Sequence, residues 1–210
     1  MTITNGYATL AELRAKLSFG ATNTASDTQL EKLIETSSRA LENVCGRRFY
    51  GVAETRYYTA DDGHEIQVDD LTGTPTIKTD DDGDGTYETT WAGTDYNLKY
   101  GNNYNAALDG KPFTQIEVSE NGRYIFPVSI KKGVLVSSTF GYSSGTNSTT
   151  ARPQPIGDAT LLAAERIYKR KDTPLGIAGG ALLGAMIVRA EDIRKDPEIM
   201  FMIDVYIKRR

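Results

Sequence analysis

The sequence predicts an α+β protein: a small helical bundle formed by the N- and C-terminal segments, with an inserted antiparallel β region, a small sandwich or barrel. Two observations predict it. Apolar residues recur at helical spacing up to Cys45, at alternate positions from about Glu54 to Phe140, and at helical spacing again after Pro155. Charge divides at similar places: residues 54–97 hold 12 acidic and 2 basic side chains, whereas 152–210 hold 8 acidic and 11 basic. The expected segments are a helical hairpin over 1–53, a β region with its linker over 54–151, and closing helices with a terminal arm over 152–210.

The first helix is expected to start at Thr9, with Glu12 completing a capping box and Leu10, Leu13 and Leu17 on one face. The second opens at Ser26 with Gln29 three residues on, a further capping box, and carries Leu30, Leu33, Ile34, Ser37, Leu41, Val44 and Cys45 before Gly46 stops it. Seven strands rich in Thr, Tyr, Val and Ile are expected at Thr55–Thr59, Glu65–Val68, Thr74–Thr79, Thr86–Trp91, Gln115–Val118, Arg123–Ile125 and Val134–Phe140. Tyr142 to Pro155 reads as a linker. A third helix from Pro155 has two apolar stripes, Ile156, Thr160, Ala163, Ile167 and Leu161, Ala164, Tyr168, so it packs against more than one neighbour. Lys169 to Lys171 suit its C-terminal end, and Pro174 stops its continuation.

A last helix has Asp196 as N-cap, Pro197 at its first position and Glu198 in its first turn. From Ile199 to Ile207 it is apolar nearly all round, with Asp204 alone interrupting. Such a helix must be covered, either by its own core or by another chain. Lys208, Arg209 and Arg210 would then meet an acidic surface.

Composition excludes several classes. The chain has 210 residues, average charge content and a net charge of −4, so it has enough length and apolar content to bury a core. One cysteine, Cys45, and one histidine, His64, exclude an intrachain disulfide framework, a cysteine zinc site and a two-histidine metal site. Cys45 reads as a core residue and His64 as an exposed turn residue. No segment is basic enough to grip nucleic acid. The start, Met1 to Tyr7, has no basic or apolar targeting pattern, and the longest apolar run, Leu175 to Val188 with Gly180 and Gly184 as a GxxxG, is shorter than a span of about 20 residues. The expectation is a soluble, intracellularly made protein. There is no phosphate loop, GxSxG elbow or CxxC, and no spacing selects a pair of carboxylates. Trp91, Tyr96, Tyr100 and Tyr104 have the chemistry to stack a sugar or base, but such residues also build sheets and cores.

The strongest local motif is Asp80-Asp81-Asp82-Gly83-Asp84-Gly85-Thr86-Tyr87-Glu88. Asp80, Asp82 and Asp84 at alternate positions, the Thr86 carbonyl and Glu88 suit a small calcium loop. An EF-hand is excluded, because its twelfth position is Trp91 and its flanks read as strands. The same residues equally make a tight Asp/Gly hairpin turn. These readings leave open a calcium-dependent β-domain binding module for a glycan or protein ligand.

Six stretches together resemble a known family. Near the start they are Tyr7-Ala8-Thr9-Leu10-Ala11-Glu12-Leu13, Asp27-Thr28-Gln29-Leu30-Glu31-Lys32-Leu33-Ile34 and Ala40-Leu41-Glu42-Asn43-Val44-Cys45-Gly46-Arg47-Arg48-Phe49-Tyr50. Near the end are Ala164 to Asp172, Pro174-Leu175-Gly176 and Arg194-Lys195-Asp196-Pro197-Glu198-Ile199. In this order they resemble the head–tail connector (adaptor, head-completion) proteins of tailed bacteriophages, and Asp80 to Leu98 is similar to the β insertion of longer members. The chain differs from compact all-helical members by its β region.

The resemblance implies a virion structural protein and no catalysis. It implies a ring of twelve copies on the portal protein, in the neck at the head–tail junction, after assembly in the host cytoplasm. Such a ring extends the channel through which genomic DNA passes without specific binding, involves no membrane, and presents a surface to the next neck, stopper or tail component. It implies that the C-terminal segment docks on the portal through Ile199, Phe201, Met202, Tyr206, Arg209 and Arg210. No cofactor is implied apart from the calcium that the aspartate loop would take.

Overall fold

The computed structural model describes residues 3–19, 24–143, 152–170, 177–178, 186–187 and 193–208. They form helices, a curled, half-barrel antiparallel sheet and a separate two-stranded pair, an α+β fold. The chain splits into two compact units, one from Met1–Arg47 with Asn147–Arg210 and the other from Arg48–Thr146.

In the helical unit α1 spans Leu10–Lys16 and opens on the expected capping box. The Glu12 amide donates to the Thr9 hydroxyl at 3.1 Å, and the Thr9 amide donates to the Glu12 carboxylate at 2.7 Å. Helix α2 spans Asp27–Cys45. Its expected capping box does not form: Ser26, at φ −102° and ψ 0°, is not extended, and its side chain caps nothing. Asp27 is held instead by Arg14, at 2.7 and 2.8 Å to its two carboxylate oxygens. Gly46 ends α2 in the left-handed conformation at φ 66°, and the Lys208 amide donates to the Cys45 carbonyl at 2.8 Å. Helix α3 spans Gln154–Arg170 and packs on α1, α2 and α4 (Pro197–Ile203), which answers to its two apolar stripes. Ala8, Leu13, Leu30, Ile34, Ala164 and Tyr168 make one core cluster.

The β unit contains β1 (Val52–Tyr58), β2 (Glu65–Leu71), β3 (Thr76–Thr79), β4 (Thr89–Thr90), β5 (Tyr96–Lys99), β6 (Phe113–Val118) and β7 (Val134–Phe140). Strand β7 is the hub. It pairs along its whole length with β1 on one side, and on the other with β3 and, at Phe140, with β2. The sheet continues β2–β6–β5 in one direction and β3–β4 in the other. Its core contains Ile66, Leu71, Ile77, Trp91, Ile116, Phe126, Val134, Val136 and Phe140, with Trp91 stacked on Phe126 at 4.6 Å. Close packing at the end of β7 dictates Gly141: a Cβ there would meet the Tyr50 carbonyl oxygen at 2.2 Å.

Two strand expectations are corrected. Arg123–Ile125 alternates in burial but joins no ladder. The Phe126 amide instead donates to the Gly63 carbonyl, and Val128 makes an isolated bridge to Ala60. Thr86–Trp91 shortens to Thr89–Thr90, because the Thr86 amide is taken by the Asp84 carboxylate at 2.7 Å. The unexpected strand is β5. The two-residue strands β8 (Ile177–Ala178) and β9 (Met186–Ile187) pair within the apolar run; its other residues, Gly180 and Gly184 among them, lie outside the described ones. Among the described residues, no helix is long and apolar enough to cross a membrane.

Candidate functional site

Two places carry the residues singled out in the sequence: helix α4 in the helical unit and the aspartate loop in the β unit. Asp196 caps α4 as expected, accepting from the Glu198 and Ile199 amides at 3.1 and 3.2 Å, with Pro197 at the first position. Arg166 on α3 pairs with both Asp196 and Glu198, which ties the start of α4 to its neighbour.

The helix resolves the all-round apolar pattern by splitting it. Ile199 and Ile203, four residues apart, are buried in their own unit; Ile199 is 2% exposed. Phe201, about half a turn away on α4, and Val205, in the 3-10 turn Asp204–Tyr206 that follows the helix, stand out at 87% and 80% exposed. The Ile199 side chain faces inward and is not part of the surface that the helix offers in this structure. Met202 and Tyr206 are half-buried, and burial raises the Tyr206 hydroxyl pKa. Arg209 and Arg210 lie outside the described residues. Val205, which the sequence reading passed over, belongs with Phe201; its four-residue spacing from Phe201 was the available signal. Beside Phe201 and Met202, Leu161, Leu162 and Pro197 line a cleft of about 560 Å³, with Lys16, Asp158 and Glu198 also on its wall.

In the β unit the loop from Asp80 to Glu88 joins β3 to β4 as an antiparallel hairpin. Asp80 is 3% exposed, and its two carboxylate oxygens accept from the Gly83 and Gly85 amides at 2.7 and 2.9 Å. Asp82 accepts from the Asp84 amide at 3.1 Å. The Thr89 hydroxyl donates to Asp81 at 2.6 Å. The loop is thus a chain of turns in which Asp80, Asp82 and Asp84 take up backbone N–H groups. Asp80, Asp82, Asp84 and Glu88 can each bring one oxygen within 4.8 Å of the others. Thr86 sits in the same loop.

The remaining residues fall into structural places. Trp91 and Tyr96 are in the core, the Tyr96 hydroxyl donating to the Pro75 carbonyl at 2.9 Å. Tyr104 is exposed and donates to Glu117, which also takes Lys99 at 3.0 Å. Tyr100 is half-buried with the Lys111 ammonium over its ring. His64 is exposed in a turn, its amide donating to Asp62 at 2.7 Å. Cys45 is fully buried, and burial pushes its thiol up to about 12.

No family model and no curated protein matches the sequence. Solved structures do match by fold. A chain from the neck of an empty gene transfer agent (GTA) particle, computed with C6 symmetry, is similar with a TM-score of 0.58 at 20% identity, over 100% of this chain and 94% of that one. A chain from the neck of the native particle, computed with C12 symmetry, gives 0.58 at 19%, over 100% and 93%. This chain has the fold of a GTA neck chain. A chain from the virion of the native particle gives 0.56 at 19%, over 96% and 89%. At these identities the likeness establishes the fold, and it accords with the head–tail connector resemblance carried by the residues.

Proposed function

We propose that the protein is a structural, non-enzymatic component of a virion neck: a head–tail adaptor. It forms a ring, of twelve copies, on the portal vertex, extends the DNA channel and offers the attachment surface for the next neck or tail component. The observation that carries this reading is the fold likeness to GTA neck chains along the whole of this chain and 94% and 93% of those chains. The C6 and C12 symmetry of those necks supports a ring. The exposed Phe201 and Val205 support docking of the C-terminal arm on the portal, together with Met202, Tyr206, Arg209 and Arg210.

The test is the mass of the purified protein alone and mixed with a portal ring. A ring-sized increment is expected. Phe201→Asp with Val205→Asp should abolish it while the circular dichroism of the free protein stays unchanged. Portal binding by the double variant at the original affinity overturns the docking assignment. The double variant is a sharper probe than deletion of residues 199–210, which also removes the buried Ile199 and Ile203.

A second reading concerns the aspartate loop. The convergence of Asp80, Asp82, Asp84 and Glu88 favours a divalent cation, calcium, with the Thr86 carbonyl as a further ligand, in a β-domain that binds a glycan or protein. Titration calorimetry with calcium decides it. Heat of binding and a raised melting temperature are expected; neither at millimolar calcium ends this reading.

A further inference from the structure

Hydrogen bonds and register together settle which backbone groups β1 turns outward. The Trp91 amide donates to the Ile77 carbonyl, so Ile77 faces β4 and its neighbours Thr76 and Lys78 face β7. Their partners on β7, Ser137 and Leu135, therefore face β3. The alternate residues Val134, Val136, Ser138 and Phe140 face β1, opposite Tyr58, Arg56, Glu54 and Val52. The N–H and C=O groups of Ala53, Thr55 and Tyr57 point away from the sheet, and they bond to no backbone group among the described residues. All three residues are exposed, Tyr57 at 51%.

Natural sheets guard such edges with proline, bulges, short strands or outward charge. Strand β1 is seven residues long and contains neither proline nor glycine, and its two charged residues, Glu54 and Arg56, are of opposite sign and pair with each other. By contrast β4 has two residues, and the β5 edge ends at Tyr100, whose amide is taken by the Asn103 carbonyl.

We propose that β1 is a self-pairing edge, onto which the β1 of a second copy of this chain adds antiparallel about a two-fold axis at Thr55. Outward groups must meet outward groups, so three registers are open near the strand centre. One centred on Glu54 sets glutamate against glutamate, and one centred on Arg56 sets arginine against arginine; both are penalised. Centring on Thr55 sets Glu54 opposite Arg56 of the partner subunit on one face. On the other it sets small Ala53 opposite the partner's bulky Tyr57, and Thr55 opposite the partner's Thr55. Charge and size are thus complementary in one register, and the six outward N–H and C=O groups of each copy find partners. The contact is isologous. It belongs to the free protein, because copies in a polar ring are related head to tail; it stands independently of the neck reading.

A cysteine at position 55 tests the register. A hydrogen-bonded antiparallel pair has Cα atoms about 5.5 Å apart, within the range of about 4.4–6.8 Å that a disulfide spans. With Thr55→Cys at micromolar protein, oxidative cross-linking should run roughly a hundredfold faster than with the exposed control Thr94→Cys. Ala53→Cys mixed with Tyr57→Cys should cross-link as well, and each alone should not. Native Cys45 is buried and does not compete. Thr55→Pro removes an outward donor at a position that the β7 ladder does not use, which edge strands tolerate. It should sediment as a monomer at concentrations where the unaltered protein sediments as a dimer. Equal cross-linking of Thr55→Cys and Thr94→Cys, or a monomeric unaltered protein at hundreds of micromolar, overturns the proposal. Either result leaves the neck reading, which is decided on the portal ring, standing.

Discussion

The helical unit and the β unit leave different things uncovered. The helical unit exposes apolar side chains, Phe201 on α4, whose opposite face is buried, and Val205 on the 3-10 turn that follows it. The β unit exposes apolar side chains as well, Leu108 and Ile125 the most, and adds main chain along the outward edge of β1. The difference teaches how each surface is removed. A side-chain patch disappears with one polar substitution, because the helix satisfies its own backbone internally. A strand edge survives almost any substitution, because every residue but proline carries the same donor and acceptor.

The largest effect separates the units outright. Phe126→Ala removes a fully buried ring stacked on Trp91 and should cost the β unit about 3–5 kcal/mol. Calorimetry should show the β-unit transition moving down with the helical one in place; a common shift of both would break the two-unit picture. Next comes the contrast within α4. Ile203→Ala should destabilise the helical unit by about 2–5 kcal/mol, whereas Phe201→Ala should stay within about 0.5 kcal/mol by chemical denaturation. Equal costs would mean that the two faces of α4 are not distinct. Asp196→Ala removes the cap shared by the Glu198 and Ile199 amides, and a loss of about 1 kcal/mol is expected in the same assay.

The smallest effect is a pH dependence of the β unit. The Tyr104 hydroxyl and then the Lys99 ammonium hold the Glu117 carboxyl below the usual glutamate value of 4.5, and Arg48, followed by Arg56, does the same for Glu54. A pKa lowered by folding stabilises in full above the unfolded value and is lost as pH falls through the folded one. Melting temperatures should therefore fall on acidification below about pH 4.5 and less steeply in Glu117→Gln. An unchanged slope in that variant would show that the exposed pair contributes nothing.

What the sequence made legible was periodic or punctuated. The Thr9 box, the Gly46 stop, the Asp196 cap and all of β7 could be read because each rests on local chemistry. Strand β5 was hidden because its alternation ends on a buried lysine, Lys99, which is in the sheet only because Glu65 and Glu117 reach it from β2 and β6. Arg123–Ile125 misled for the opposite reason: its alternating burial is real, but the ladder that would make it a strand depends on distant backbone. At α4 the apolar content was plain, and its division into inner and outer faces was not. Ile199 and Phe201 have similar hydropathy, and their fates are set by which side α3 occupies.

The sole cysteine and the sole tryptophan fall in different units, Cys45 at the end of α2 and Trp91 in the sheet core. The protein thereby carries two built-in optical and chemical clocks. Indole fluorescence reports when the sheet opens. A colorimetric thiol reagent, blind to Cys45 until α2 comes away, reports when the helices do. Run side by side in one cuvette, they follow the two halves separately without a label or an engineered site.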